Sequence, residues 1–230
     1  MARHDSPVAA GQKLPLILAS ASPRRKLLFE RFFPSADLRI LIPEWDETAV
    51  MTAWADTPES LARRLTSGKI EALSQQHPLP GAYCAVAADT LVVLNDRVFG
   101  KPSDRQEAVE QLRQLSGRTH LVLTGLTVAV ALDQRYQLFQ ATEQTAVRFT
   151  PLSEAMIRWY VATGEPDDKA GSYGIQGDGA ALIESINGCF YNVMGLPVFR
   201  LLSLLREAAQ AFGSHPQLSD LLPWNGSGPL

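Results

Sequence analysis

Two rhythms of apolar residues run along this chain. Short unbroken apolar runs read as buried strands, and stretches with apolar residues every three to four positions read as helices. Leu14–Ala19 is the first strand; Ser22 then caps a helix that opens at Pro23 and continues through Lys26–Phe32. Asp37–Ile42 predicts a second strand. A helix opens at Thr57-Pro58 and runs to about Ser74, striped by Leu61, Leu65 and Leu73, with Lys69 expected on a different face from Leu65. The run from Ala85 to Leu94 predicts the central strand, folded back through a turn at Asn95-Asp96. A helix from Ser103 or Asp104 to about Leu115 follows. Next come two long strands, His120–Leu132 and Tyr136–Phe149, paired about Asp133-Gln134. The pattern then predicts a helix over Leu152–Ala162 stopped by Gly164, a strand over Ala181–Ile186 and a short strand over Phe190–Met194. A last helix runs from Gly195-Leu196-Pro197 to about Gln210. Residues 1–13 read as a polar extension, and the tail 213–230, rich in Pro, Gly and Ser, as loosely packed.

Composition narrows the class. With 230 residues, 46% hydrophobic and 20% charged, the chain can bury a core as one large domain or two tightly fused lobes. A net charge of -3 argues against broad nucleic-acid or membrane-surface binding. No apolar run is long enough to predict a membrane-spanning helix. Cys84 and Cys189 are too few for a disulfide framework and suit a reducing, cytoplasmic setting.

Several positions break the pattern of a plain scaffold. Asp89 and Thr90 interrupt the central apolar run, and a carboxylate there must be paired, metal-bound or at a pocket. The hairpin that follows can bring Lys101 back toward Asp89. Arg24 and Arg25 sit in the first turn of a helix, where the dipole disfavours cations. An anion gripped by arginine forks at the helix start would resolve that conflict; the competing reading is two solvated arginines. Glu44, Asp46 and Glu47 form an acidic loop, which on spacing alone is more often solvated than a Mg²⁺ site. The glycines around Gln176 permit close approach of backbone to a ligand, and the Gln176 amide can read a base edge; the competing reading is a flexible surface loop. No covalent nucleophile or Cys/His zinc spacing is present.

These stretches together carry a resemblance. Leu18-Ala19-Ser20-Ala21-Ser22-Pro23-Arg24-Arg25, Asp46-Glu47-Thr48, Ala88-Asp89-Thr90 with Gly100-Lys101-Pro102, Asp168-Lys169-Ala170-Gly171 running into Tyr173-Gly174-Ile175-Gln176-Gly177, and Gly195-Leu196-Pro197 occur in this order. The set resembles the Maf family of nucleoside triphosphate pyrophosphatases over about Leu16 to Leu205. The resemblance implies a single catalytic domain over 14–212 with a mixed α/β fold: a long twisted sheet flanked by helices around a cleft, similar to the inosine triphosphate pyrophosphatases. It implies hydrolysis of a nucleoside triphosphate between its α and β phosphates, with a divalent cation, Mg²⁺ or Mn²⁺. The family's general base matches Asp89, and its cleft glutamate matches Glu47. Both carboxylates are the implied metal ligands. Its lysines match Lys69, Lys101 and Lys169, with Lys101 among the catalytic set, and its phosphate loop matches Ser20, Ser22, Arg24 and Arg25. Members similar at Arg24, Thr90 and Gln176 prefer dTTP and UTP. Members are often dimeric, although no stretch of this chain marks an interface. One departure stands out: Gly68 precedes the lysine inside its helix, which is expected to loosen that helix by about 1 kcal/mol. A regulatory nucleotide-binding module acting on cell division, or a broad or purine-directed pyrophosphatase, is the alternative to a pyrimidine-specific enzyme.

Overall fold

A computed structural model describes residues 13–224. The predicted extension thus lies outside the described residues save Lys13, as does the tail beyond Trp224. The elements are β1 (Pro15–Leu18), α1 (Pro23–Phe32), β2 (Asp37–Ile40), α2 (Glu47–Ala53), α3 (Pro58–Gln76), β3 (Tyr83–Leu94), β4 (Arg97–Phe99), α4 (Arg105–Leu115), β5 (Thr119–Leu132), β6 (Arg135–Phe149), α5 (Glu154–Ala162), β7 (Ile183–Asn187), α6 (Phe190–Val193), α7 (Val198–Ala211) and α8 (Pro216–Ser219). Three short 3-10 turns occupy Glu165–Asp168, Ala170–Ser172 and Gly177–Leu182.

The seven strands form one mixed sheet in the order β2-β1-β3-β5-β6-β7, with β4 paired to β3. β1 lies parallel to β2 and β3, and the pairs from β3 to β7 are antiparallel. The two-residue period of β3 sorts its side chains between two layers. Cys84, Val86 and Ala88 join Leu28 and Phe29 of α1 and Leu201 and Leu205 of α7 in one core. Ala85 and Ala87 face the opposite way, with Ile70 and Leu73 of α3. The hairpins turn where expected, and Asn95, Asp96, Asp133 and Gln134 all take positive φ, which matches the twist of the flanking strands.

The sheet is incomplete at one place. β1 ends with Leu18 opposite Val86, and β4 begins its pairing with Phe99 opposite Val92. Between them β3 has no strand on that side, and Asp89 and Thr90 lie in the gap. On the other side Asp89 pairs with Gly125 of β5. A Cβ at Gly125 would overlap the Ala62 carbonyl, so this glycine lets α3 settle directly onto the sheet.

Four expectations need correction. Phe190–Met194 is a helical turn, not a strand: buried Asn192 donates to the Val122 carbonyl and the Thr145 hydroxyl, and Met194 N–H returns to the Phe190 carbonyl. The strand expected from Ala181 starts at Ile183, because a 3-10 turn occupies Gly177–Leu182. Glu47 opens a helix, with Asp46 accepting from Ala49 N–H at its start, where only a loop was expected. The stretch after Gly213 packs: Leu218, Leu221 and Leu222 are buried in the core beside α7.

His120 is buried, with Nε2 2.7 Å from the Tyr173 hydroxyl and its ring edge-on to Phe149 and Tyr173. Burial pushes its pKa down to about 4. The unfolded chain therefore takes up a proton near pH 6.5 that the folded chain refuses until about pH 4, and stability falls with pH across that window. By pH 5 the loss from this one group is about 2 kcal/mol. Urea unfolding at pH 7.5 and pH 5 should show the wild type losing about 2 kcal/mol more than His120→Gln. Equal losses would remove His120 as the cause.

Candidate active site

The gap in the sheet opens into a cleft of about 360 Å³. Ser20, Ser22, Arg24, Arg25, Glu47, Lys69, Asp89, Thr90, Lys101, Lys169 and Gln176 all line it. The sequence thus selected residues that the fold brings together, but their partners differentiate them.

Alternation along β3 sends Asp89 toward α3 and Thr90 toward α1. Lys69 lies one helical turn beyond Leu65 and is buried with it, contrary to the separate faces expected. Its ammonium reaches Glu47 Oε1 at 2.8 Å and Asp89 Oδ2 at 3.3 Å, so one buried cation joins carboxylates from α2 and β3. Asp89 Oδ1 accepts from the Thr90 N–H at 2.9 Å. Asp89 Oδ2 is buried and has no hydrogen bond, since Lys69 approaches it off the bonding angle. One oxygen of the carboxylate is thus held by a backbone N–H, and the other is buried beside the Lys69 ammonium.

The two arginines have different surroundings. Arg25 is buried: Nε donates to the Gly195 carbonyl at 2.8 Å, Nη1 to Ser20 Oγ at 3.3 Å and Nη2 to Thr90 Oγ1 at 3.1 Å. Three of its five donors are thus committed within the protein. Burial lowers its pKa, opposed by the Asp89 and Glu47 carboxylates. Arg24 is partly exposed and meets Asp168 Oδ2 at 3.3 Å. Asp168 also takes Lys169 Nζ at 2.7 Å, and Lys169 donates to the Glu165 carbonyl at 2.6 Å. Partial burial pushes the Asp168 pKa up, but its bond to Lys169 and the charge of Arg24 outweigh this and hold it below its ordinary value. Lys101 is exposed at the cleft and makes no ion pair or hydrogen bond among the described residues.

Thr90 is less free than its position suggests. The Thr124 hydroxyl donates to the Asn192 carbonyl, so the 3.0 Å bond between Thr90 and Thr124 takes its proton from Thr90. Thr90 therefore offers a ligand an acceptor and no donor. Ser22 caps α1 through Arg25 N–H, and Ser20 accepts from Ser22 N–H as well as from Arg25.

The glycine-rich segment is tied down by hydrogen bonds to Glu165, and Gly174 lines the cleft. Cβ atoms at Gly174 and Gly177 would each come within 2.8 Å of a Glu165 carboxylate oxygen. Glu165 Oε2 accepts from Asp178 N–H; Oε1 accepts from the Tyr160 hydroxyl, which in turn accepts from Gly174 N–H. The segment wraps Glu165 and leaves the Gln176 side chain exposed at the cleft. Sequence reasoning missed Glu165, Asp168 and the Gly195 carbonyl. All three lie in or beside stretches already singled out, but nothing in those stretches announced their partners.

The split between the arginines is measurable. Arg25→Ala strands the Gly195 carbonyl and the Thr90 and Ser20 hydroxyls, and is expected to cost about 2–4 kcal/mol in urea unfolding. Arg24→Ala breaks one partly exposed pair and should cost less than about 1 kcal/mol. Similar losses for both would contradict the structural commitment of Arg25.

Comparison with known proteins identifies the family. The Maf-like protein family matches residues 15–208. A dTTP/UTP pyrophosphatase of Symbiobacterium thermophilum is 50% identical over 192 residues, covering 84% of this chain and 93% of that one. A dTTP/UTP pyrophosphatase of Pyrococcus furiosus is 40% identical over 190 residues, covering 83% and 93%. One of Clostridium botulinum strain Okra is 39% identical over 193 residues, covering 84% and 96%. Among solved structures, a HAM1 protein from Coxiella burnetii aligns over 88% of this chain and 100% of its own, at 11% identity and a TM-score of 0.42, a distant likeness. By the extent of the family match and the identity of these relatives, the chain belongs to the Maf-like protein family.

Proposed function

We propose that the protein hydrolyses the α–β phosphoric anhydride of dTTP and UTP, and of modified pyrimidine nucleotides, releasing the monophosphate and pyrophosphate. The observation that carries this reading is the cluster of Glu47, Lys69 and Asp89 in the wall of a cleft that also presents Arg24 and Lys101. The 50% identical relative named dTTP/UTP pyrophosphatase supports the substrate class.

Asp89 is suited to take the proton of an attacking water. Asp89 lines the cleft, Thr90 N–H fixes its carboxylate through Oδ1, and the Lys69 ammonium 3.3 Å from Oδ2 favours its charged form. Lys101, without a partner among the described residues, is placed to offset charge on the departing pyrophosphate. Arg24 and Lys169, joined through Asp168, form a cationic rim for the phosphates. Arg25 supports the Ser20–Ser22 turn from below.

A Mg²⁺ or Mn²⁺ ion fits the cluster. Glu47 and Asp89 are hard oxygen donors, and Asp89 Oδ2 is buried without a hydrogen bond. No group of three His, Cys, Asp or Glu joins into a metal cage among the described residues. Two carboxylates suit an ion that completes its shell with water and substrate phosphate. When bound, the ion would polarise a phosphoryl oxygen as a Lewis acid. Glu47 and Asp89 would hold it.

Uracil and thymine present a carbonyl beside a ring N–H, a pair that one carboxamide can match. The Gln176 side chain is exposed at the cleft to do this. A base that leaves that amide mismatched is rejected sharply. No helix among the described residues is long and apolar enough to cross a membrane. The free thiols of Cys84 and Cys189 suit a reducing compartment such as the cytoplasm.

Pyrophosphate release from a panel of nucleoside triphosphates with Mg²⁺ tests the reading, wild type beside Asp89→Asn. Turnover should concentrate on dTTP and UTP and fall at least about a hundredfold in the variant, with nucleotide binding retained. Release spread evenly over purines would end the pyrimidine assignment. Full turnover by Asp89→Asn would end the assignment of the base.

A further inference from the structure

Glu47 sits on an element that cannot place it unaided. α2 spans seven residues and buries none of them fully. The segment leading into it is instead fastened to α3. Gln76 accepts from Glu44 N–H at 2.7 Å and donates to the Glu44 carbonyl at 2.8 Å, much as a paired strand would. Farther along α3, the Trp45 ring lies against Gly68, and a Cβ on Gly68 would overlap its six-membered ring. The Arg64 guanidinium lies 5.3 Å from the ring centroid. Trp45 Nε1 is buried with no hydrogen bond, so packing and the Arg64 contact seat the ring.

Gly68 adjoins Lys69, the residue that receives Glu47 at 2.8 Å. A glycine inside a 19-residue helix is unfavourable on propensity grounds, and its neighbours explain its presence. The notch it leaves admits an indole two residues before Glu47. One turn of α3 thus supplies both the socket for Trp45 and the cation for Glu47.

We propose that Trp45 and Gly68 form a matched lock that positions Glu47 against Lys69 for turnover. Both act as positioning residues and touch no substrate. The proposal rests on Glu47 being a working residue of the pyrophosphatase reaction proposed above. Alanine at 68 displaces the ring and moves the start of α2. A displacement of about 1 Å at a catalytic group costs about a hundredfold in rate.

Four variants test this with dTTP and Mg²⁺: Gly68→Ala, Trp45→Leu, their double variant, and Glu47→Gln. Thermal melting is followed alongside kcat and KM. Gly68→Ala should remain folded, because alanine favours the helix, yet lose about tenfold to a hundredfold in kcat with a smaller change in KM. The double variant, in which leucine leaves room for the new methyl, should recover most of that kcat. Such rescue, with kcat moving more than KM or melting temperature, is not expected of a fold-stabilising contact alone. Full kcat in Gly68→Ala with a crippled Glu47→Gln would overturn the lock and leave the role of Glu47 intact. Losses that merely add in the double variant would also overturn it. Full turnover by Glu47→Gln would overturn both readings.

Discussion

A largely buried lysine at the cleft wall is the constraint around which this molecule is built. Lys69 is buried in α3, and a buried ammonium is tolerated only with partners close by. Its partners arrive from different elements: Glu47 from the first residue of α2, Asp89 from the middle of β3. Meeting both requires α3 to lie hard against the sheet and the acidic loop to lie hard against α3. Two glycines make the approaches possible, Gly125 under Ala62 and Gly68 under Trp45. A side chain at either position would push apart the layers that hold the ion cluster. Removing one carboxylate would leave the largely buried Lys69 underpaired, so in the proposed reading stability and chemistry share the same three side chains.

The elements were largely legible because their causes are local. Ser22-Pro23 and Thr57-Pro58 signalled helix starts through capping and a fixed proline φ, and both helices begin there. The β5–β6 pair followed from two long apolar runs about Asp133-Gln134. Failures came where distant residues decide. Phe190–Met194 has a β-like composition, but Asn192 finds its partners on β5 and β6 and coils the segment. The tail after Gly213 looked unable to bury apolar area, yet three leucines reach the main core.

The site divided along the same line. Residue types marked Asp89 and Lys101, the resemblance added Glu47 and Lys69, and the fold gathers all four in one cleft. Partnerships were not legible. Arg24 and Arg25 are adjacent in sequence, but Arg25 faces inward and spends its donors on Gly195, Ser20 and Thr90, while Arg24 lies at the rim. The Gly195 carbonyl is 170 positions from Arg25, and no local pattern announces such a bond. The doubt raised by Gly68 came from the same source, since its propensity cost is local and the indole that fills its notch comes from another segment.

Glu165 extends this logic to selectivity. The hydrogen bonds around its carboxylate fasten the backbone two residues before Gln176, through Tyr160 and Gly174 N–H, and two residues after it, through Asp178 N–H. Burial pushes the Tyr160 hydroxyl above its ordinary pKa, so it remains a donor to Glu165 at any working pH. Between these fixed points the Gln176 amide has no hydrogen-bond partner among the described residues. With the backbone fastened, only the side-chain torsions of Gln176 remain to be fixed on meeting a base, and a mismatched base is not readily met by shifting the loop. In the proposed pyrimidine reading, selectivity thus depends as much on the carboxylate that holds the loop as on the amide that reads the base. Thr90, its hydroxyl proton already given to Thr124, contributes at most an acceptor.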